Sequence, residues 1–354
     1  MKLLIDGIWY PNQPDSDELR ARRAREREGF FHNYVTADGS SGFKAESGRY
    51  HLYVSYACPW AHRTILVRKL KKLEDVISVS VLDPDWGGPE GWVFSNGNDC
   101  ILDTANGYQY LHQVYTQAKP DYTGKVTVPV LWDKLQRTIV NNESSEIIRM
   151  LNSEFNAFGD ASVDLYPSEL RAKIDEINAF VFERVNMAVY QAGFASSQEA
   201  YDTAVDVLFN ALDVLEVRLC DREYLVSDRL SEADIRLFVT LVRFDAVYYG
   251  ALNCNLRRLV DYPNLWDYTR RLYHLPGVAD TVKLEHIKRH YYDIHEGLIN
   301  RRIVPKGPLL NFGELRSRHG GITSVARGGH GGTAPTDRDG GDIFPNAMLQ
   351  TPTL

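Results

Sequence analysis

The chain has 354 residues, a formal net charge of −7 and 44% hydrophobic residues, which allows two domains with sizeable cores and argues against a nucleic-acid-binding surface. Its four scattered cysteines show neither metal-ligand spacing nor a disulfide framework, a pattern that fits a reducing compartment. No segment is apolar enough for a signal peptide or a membrane span, so we expect a soluble, cytoplasmic protein that binds neither nucleic acid nor membrane.

Residues 1–48 are predicted to be an extension that lies on the first domain. Within it, residues 20–27 form a charge run that Glu26 interrupts. Mixed charges of this kind are typical of the solvated face of a helix, and they argue against a nucleic-acid-binding arm.

The most informative stretch joins a strand to a helix. Residues 50–55 are β-branched and aromatic, which predicts a strand, and the residues after Pro59 follow an amphipathic helical pattern. Proline is well tolerated in the first turn, so Pro59 marks the helix start. Cys58 is therefore placed at the strand-to-helix junction.

This position favours a reactive thiol. The unpaired amides and the positive dipole end of a helix stabilise a thiolate, so we expect the pKa of Cys58 to be lowered. The alternative is a buried structural cysteine. Because Ala61 replaces the second cysteine of a CxxC pair, a mixed disulfide on Cys58 requires an outside thiol for its release.

A second strand, residues 76–81, follows the helix, and this βαβ order predicts that the two strands are parallel. The polar loop over residues 83–103 is long enough to be functional. Its Trp92 is interpreted either as a lid over a ligand or as an anchor of the loop to the core.

A helix over residues 111–118 and strands over residues 125–132 and 137–140 complete this half. Val128-Pro129 at the entrance of the first of these strands invites a cis peptide, which the sequence alone leaves open. Residues 141–146 open another helix. Its Glu143 and Ser144 are interpreted either as plain caps or as groups that hold a ligand's ammonium and carboxylate.

From residue 168 the pattern becomes helical, with a capping box at Ser231–Asp234 and further helices around residues 265–272 and 278–291. His286 and His290 are spaced as a helical metal pair, but without an HExxH-type carboxylate a packed or solvated pair is favoured, and we expect no metal. The Gly-rich residues beyond Pro308 predict a disordered tail.

The motifs SYACPWAHRT, GWVF, KVTVPVLWD, NNESSEIIRM, SEADIRLFVTLVRFDAVYYG and EHIKRHYY together resemble the glutathionyl-hydroquinone reductases, the Xi class of glutathione transferases. The likeness covers about residues 29–308. It implies an α/β thioredoxin-like N-terminal domain (residues 49–155), an all-α glutathione transferase C-terminal domain (residues 165–305) and an added tail (residues 309–354).

The resemblance also implies a role for each candidate site residue. Cys58 matches the nucleophile, and Val128, before a family-typical cis Pro129, matches the backbone partner of the cysteinyl part of glutathione. The remaining matches are Glu143 and Ser144 at the γ-glutamyl group, Trp92 over the tripeptide, Lys125 at the glycyl carboxylate, and Tyr190, Tyr248 and Tyr291 at the aromatic substrate. Lys125 stands where relatives often carry arginine.

The implied reaction converts a glutathionyl-hydroquinone to the hydroquinone through a Cys58–glutathione disulfide, which a second glutathione resolves. A homodimer is the implied assembly. Two alternatives stay open, an omega-like thiol transferase or dehydroascorbate reductase and a non-catalytic scaffold of the same fold. The tyrosines and Trp92 argue against the first, and Cys58 with Glu143 and Ser144 argues against the second.

Overall fold

A computed structural model describes residues 1–14, 16–27, 31–86, 88–293 and 303–313. Residues 314–354 of the predicted tail lie outside the described residues. All of these described residues belong to one compact unit. None of its described helices combines the length and the apolar character needed to cross a bilayer.

The N-terminal extension begins with a small antiparallel hairpin, β1 (Leu3–Ile5) and β2 (Ile8–Tyr10), and continues into α1 (Asp17–Arg27), which contains the charged residues 20–27. The hairpin turns at Gly7, whose φ is +76°. A Cβ there would stand 1.8 Å from the carbonyl oxygen of Pro120, so only glycine fits.

Four strands form the central sheet in the order β4-β3-β5-β6: β3 (Tyr50–Val54), β4 (Ser78–Val81), β5 (Val130–Asp133) and β6 (Thr138–Asn141). The β3 and β4 strands are parallel, as the βαβ pattern predicts, whereas β5 pairs antiparallel with both of its neighbours. Leu52 pairs with Val79 on one side and Leu131 on the other. The whole of β3 is buried between its neighbours.

The strand predicted over residues 125–132 is shorter than expected, because β5 starts only at Val130. Pro129 has no N–H to donate to a ladder, so regular pairing begins after it. The Val128–Pro129 peptide bond is cis, as the resemblance implies.

Three helices flank the sheet: α2 (Pro59–Leu70), α3 (Leu111–Ala118) and α4 (Ser144–Ser153). The α2 and α4 helices pack against each other, and α2 also packs against the C-terminal half. Every residue from Ala61 to Val67 is buried, so this part of α2 is enclosed on all sides. This packing holds the first turns of α2 and α4 on the same side of the molecule.

The C-terminal half is helical, as the resemblance implies. Its helices are α5 (Arg171–Val181), α6 (Ala188–Gly193), α7 (Gln198–Arg218), α8 (Glu232–Arg243), α9 (Tyr249–Ala251), α10 (Pro263–Tyr273) and α11 (Leu284–Asp293). Short 3₁₀ turns lie at Ser168–Leu170, Leu259–Asp261 and Ala279–Thr281. The predicted capping box at the start of α8 is confirmed, since Ser231 and Asp234 bond each other's backbone reciprocally.

Two details of this half differ from the sequence-based expectation. The α5 and α8 helices each widen into a π-helical segment, Phe182–Asn186 and Phe244–Tyr248. The helix predicted over residues 278–291 is two elements, a 3₁₀ turn and α11, because the backbone of Val282 between them is extended (φ −95°, ψ 101°).

Candidate active site

Cys58 occupies the N-cap of α2, directly before Pro59, and its carbonyl accepts the His62 amide at 3.0 Å. The side chain is half-buried, and Sγ lies 3.7 Å from the carbonyl oxygen of Val128. The strand and the helix start meet at this thiol, as the sequence predicts, and the loop before β5 also reaches it.

The pKa expectation for Cys58 is wrong in direction. Burial raises the pKa of the thiol. The amides of Ala61 and Trp60 and the guanidinium groups of Arg243 and Arg63 all lower this pKa, but burial outweighs them. The helix start favours the thiolate as expected. The loss of water around the buried thiol disfavours the thiolate more strongly than the helix amides favour it.

Two buried arginines, Arg63 and Arg243, lie close enough to Cys58 for their charges to act on the thiol. Arg63 donates to Ser144 Oγ at 3.4 Å and to Asn186 Oδ1 at 2.8 Å, and its guanidinium carbon lies 4.5 Å from the centre of the Trp60 ring. Burial, followed by the charge of Arg236, lowers the pKa of Arg63 to about 9, so the group stays cationic at neutral pH. Arg243 donates to backbone carbonyls next to Cys58.

The three predicted tyrosines form one cluster. The hydroxyl of Tyr291 lies 2.6 Å from that of Tyr190 and 3.4 Å from that of Tyr248. The rings of Tyr190 and Tyr248 lie 6.1 Å apart, and Trp60 stacks on Tyr190 at 6.5 Å. The cluster thus connects the turn after Cys58 to α6, to the π-helical end of α8 and to α11.

Burial raises the pKa of Tyr248 and raises the pKa values of Tyr190 and Tyr291 well above their ordinary value. A negative charge on Cys58 adds to the increase for Tyr190 and Tyr248. All three phenols are therefore protonated at neutral pH, and each has a hydroxyl proton to donate.

Glu143 and Ser144 start α4 on the other side of α2. Glu143 is the N-cap residue, and its Oε1 accepts from the Ser145 amide at 3.3 Å and from the Ser145 hydroxyl at 3.2 Å. Ser144 is buried and receives the bond from Arg63. The capping interpretation is therefore correct for Glu143, and the same carboxylate is only half-buried.

Trp92 is buried and stacks on His290 of α11, with centroids 5.5 Å apart and an interplanar angle of 6°. His290 Nδ1 also lies 2.9 Å from the Pro84 carbonyl, and His286 Nε2 contacts the Asn98 carbonyl. The two histidines therefore fasten the loop over residues 83–103 to α11, which agrees with the anchor interpretation of Trp92.

The remaining predicted contacts lie on the segment before β5. Val128 and Pro129 are buried beside Cys58, whereas the side chain of Lys125 is exposed and its carbonyl accepts the Tyr122 hydroxyl at 3.1 Å. The structure thus brings Val128 to the thiol.

Sequence reasoning missed Arg63, Arg243, His62 and Asn186. All four are buried polar residues within helical patterns, and each has at least one partner between 123 and 219 residues away. Arginine and histidine are rarely buried without a partner, so their presence on otherwise apolar helix faces was the available signal.

Comparison with known proteins agrees with this architecture. Family models for the glutathione S-transferase N-terminal and C-terminal domains match residues 57–154 and 198–271. The chain is 51% identical over 308 residues to the glutathionyl-hydroquinone reductase PcpF of Sphingobium chlorophenolicum, covering 87% of this chain and 96% of that relative.

Solved structures give the same result. A Xi class glutathione transferase from Natrialba magadii superimposes with a TM-score of 0.84 at 47% identity, covering 90% of this chain and 96% of that one. The glutathione-bound structure of YqjG from Escherichia coli K-12 gives a TM-score of 0.81 at 46% identity, covering 88% and 97%. The chain belongs to the glutathionyl-hydroquinone reductases, the Xi class of the glutathione transferase family.

Proposed function

We propose that this protein reduces glutathionyl-hydroquinones to hydroquinones at the expense of glutathione, with Cys58 as the nucleophile. The observation that carries the proposal is the chain of three protonated tyrosine hydroxyls beside a thiol at a helix start. A plain thiol exchange needs only the thiol, whereas cleavage of a carbon–sulfur bond on an aromatic ring also needs proton donors at the ring.

In the first step, the Cys58 thiolate attacks the sulfur of the glutathionyl-hydroquinone. The new bond is the Cys58–glutathione disulfide, and the carbon–sulfur bond breaks with its electron pair on the ring carbon. That carbon takes a proton, and we assign its delivery and the hydrogen bonds to the ring oxygens to the clustered hydroxyls of Tyr190, Tyr248 and Tyr291. The ring is reduced while the two sulfurs are oxidised to the disulfide.

In the second step, the thiolate of a free glutathione attacks the glutathione sulfur of this disulfide. Oxidised glutathione leaves, and the Cys58 thiolate is restored. The absence of a second cysteine at position 61 is consistent with this dependence on an external thiol. A raised thiol pKa lowers the thiolate population, but each thiolate is then intrinsically more nucleophilic.

Glutathione binding follows from the groups around the thiol. We propose that the half-buried Glu143 carboxylate holds the γ-glutamyl ammonium, and that the Ser144 hydroxyl and the first amides of α4 hold its carboxylate. The Val128 backbone is assigned to the cysteinyl part. Trp92 and Lys125 are assigned to the tripeptide cover and the glycyl carboxylate.

The test compares the native protein with Cys58→Ser on glutathionyl-menadiol and free glutathione, with menadiol release followed by chromatography. We expect turnover by the native protein and loss of turnover in the variant. Dehydroascorbate or disulfide reduction without menadiol release would instead indicate an omega-like enzyme. Glutathione binding without any of these activities would indicate a scaffold.

We also propose that the protein is a cytoplasmic homodimer. Its role is the removal of reactive quinone conjugates, and the reaction requires no metal. Light scattering coupled to gel filtration measures the mass of the assembly, and a mass of one chain would contradict the dimer. Turnover that EDTA abolishes would contradict the metal-free chemistry.

A further inference from the structure

The structure assigns a supporting role at Cys58 to Arg243, the last residue of α8. We propose that Arg243 is a positioning residue whose buried positive charge supports the Cys58 thiolate and whose guanidinium fixes the backbone that carries Cys58. This inference rests on the proposed nucleophile, and it adds a residue that the sequence motifs do not single out.

The guanidinium reaches the two residues directly before Cys58. Nη2 donates to the Tyr56 carbonyl at 2.8 Å, and Nε donates to the Ala57 carbonyl at 3.1 Å. Two carbonyls in succession are thus held by one rigid planar group, which fixes the turn from β3 to α2. The contact spans the two halves of the protein, because Arg243 belongs to α8 and the turn belongs to the sheet domain.

The other end of the guanidinium is also bonded to neutral groups. Nη1 donates to the Val239 carbonyl at 2.7 Å and lies 2.9 Å from Nδ1 of His62. Because arginine only donates, Nδ1 accepts, and the His62 Nε2 proton points to the Thr281 hydroxyl at 2.8 Å. The Thr281 hydroxyl in turn donates to the Val278 carbonyl.

His62 is therefore a neutral acceptor. Burial, together with the positive charge of Arg243, lowers the pKa of His62 well below its ordinary value. The imidazole fixes the orientation of the guanidinium without adding to or cancelling its charge.

The charge of Arg243 has no carboxylate hydrogen-bonded to it among the described residues, and the side chain is 0% exposed. A buried cation bonded only to neutral acceptors is costly unless an anion forms near it. The group beside it that becomes an anion in the reaction is the Cys58 thiol, and the charge of Arg243 lowers the pKa of that thiol.

The charged and titratable groups that act on Cys58 come from four elements packed around it. They are Arg63 of α2, Arg243 of α8, Tyr190 of α6 and Tyr248 of the π-helical segment. The negative charges of Glu143 and Glu232 also act on Arg63, and they partly offset its positive charge. Arg243 is thus the cation whose loss should change the thiol most.

The test is the pH dependence of Cys58 alkylation by iodoacetamide, with the modified residue identified by mass spectrometry. We expect Arg243→Met to raise the alkylation midpoint by about one pH unit, which is about tenfold less thiolate at neutral pH. We expect Arg243→Lys, which keeps the charge, to stay closer to the native midpoint. A cooperatively folded Arg243→Met protein with the native midpoint would overturn the proposal.

The matched control is Arg68→Met. Arg68 is on the same helix as Cys58 and also donates to two backbone carbonyls, of Ile77 at 2.6 Å and Glu74 at 2.9 Å. It lies ten residues from Cys58, about 15 Å along the helix. Its loss should leave the alkylation midpoint unchanged, and an equal shift in both variants would contradict a specific role for Arg243.

If Arg243→Met does not fold, Arg243→Gln carries the same comparison with a neutral side chain that still donates to the carbonyls. The native protein gives an independent result, because a buried cation is little screened by salt. Its midpoint should stay constant between low and high NaCl, and a large salt-dependent shift would overturn the proposal. Alkylation needs no turnover, so these outcomes are separate from the test of the proposed reaction.

Discussion

At the residue scale, the hydroxyl of Tyr291 is the centre of the tyrosine cluster because it contacts the hydroxyls of both Tyr190 and Tyr248. We expect Tyr291→Phe to lower kcat for glutathionyl-menadiol by about 10²-fold, the usual contribution of a positioned proton donor. Steady-state kinetics give this value.

Two controls keep that prediction specific. Alkylation of Cys58 should proceed at nearly the native rate in Tyr291→Phe, since the thiol itself is intact. Tyr201→Phe on α7 removes an exposed hydroxyl that donates to the Asn253 carbonyl and is not part of the cluster, so this variant should turn over normally. Native kcat in Tyr291→Phe would remove the tyrosines from the mechanism.

The thiol of Cys58 makes a second prediction at this scale. Because burial raises the pKa of the Cys58 thiol, alkylation of the free protein should still accelerate with pH through the neutral range and level off only at alkaline pH. Stopped-flow alkylation across pH 6–11 measures the midpoint. A plateau already reached near pH 7 would contradict the burial argument and restore the lowered pKa expected from the helix start alone.

At the element scale, the start of α4 combines a cap with a proposed ligand contact. Glu143→Gln keeps an oxygen that accepts from the Ser145 amide but removes the negative charge. We expect KM for glutathione to rise about tenfold, the value of one charge-assisted hydrogen bond, with less than about 1 kcal/mol lost in the free energy of unfolding.

Glu146→Gln is the matched control, because Glu146 lies in the same first turn and contacts His32 at 3.1 Å and Asn141 at 2.6 Å. KM should stay near the native value in this variant. Equal changes in KM for both substitutions would show that the charge of the helix start, and not a specific contact of Glu143, holds glutathione.

At the scale of the whole molecule, the two halves are joined through Glu232 of α8. Its buried carboxylate accepts from Arg149 of α4 at 3.1 Å, from Arg236 at 2.5 Å and from Asn178 of α5 at 2.9 Å. Glu232→Ala leaves Arg236 buried without this acceptor, so we expect a loss of about 3–5 kcal/mol in the free energy of unfolding.

Chemical denaturation followed by tryptophan fluorescence and circular dichroism measures this loss. Glu169→Ala serves as the control, because Glu169 pairs with Arg229 at an exposed site, where about 0–1 kcal/mol is expected. Similar losses of unfolding free energy in the two variants would contradict a structural role for the Glu232 contacts that connect the two halves.

The sequence predicts those parts of the molecule that depend on local patterns. Cys58 and Glu143 are recognisable because each stands at a helix start that a neighbouring Pro59 or Ser144 marks, and the parallel pairing of β3 and β4 follows from the helix between them. Family resemblance adds the tyrosine cluster, whose members come from three separate elements.

The rest could not be predicted because it depends on contacts between distant segments. Arg243 bonds carbonyls 186 and 187 residues earlier in the chain, and nothing near position 243 signals them. The pKa of Cys58 depends on how deeply the C-terminal half covers it. The π-helical segment that ends at Tyr248 likewise has no local sequence signature.

The central claim is that the glutathionyl group passes to Cys58 before it passes to a second glutathione. The most direct measurement mixes the native protein with glutathionyl-menadiol in the absence of free glutathione and locates any adduct by mass spectrometry. We predict about one equivalent of menadiol and one glutathione on Cys58, which added glutathione removes. Menadiol release that leaves Cys58 unmodified, or an adduct on the exposed Cys220, would contradict the account.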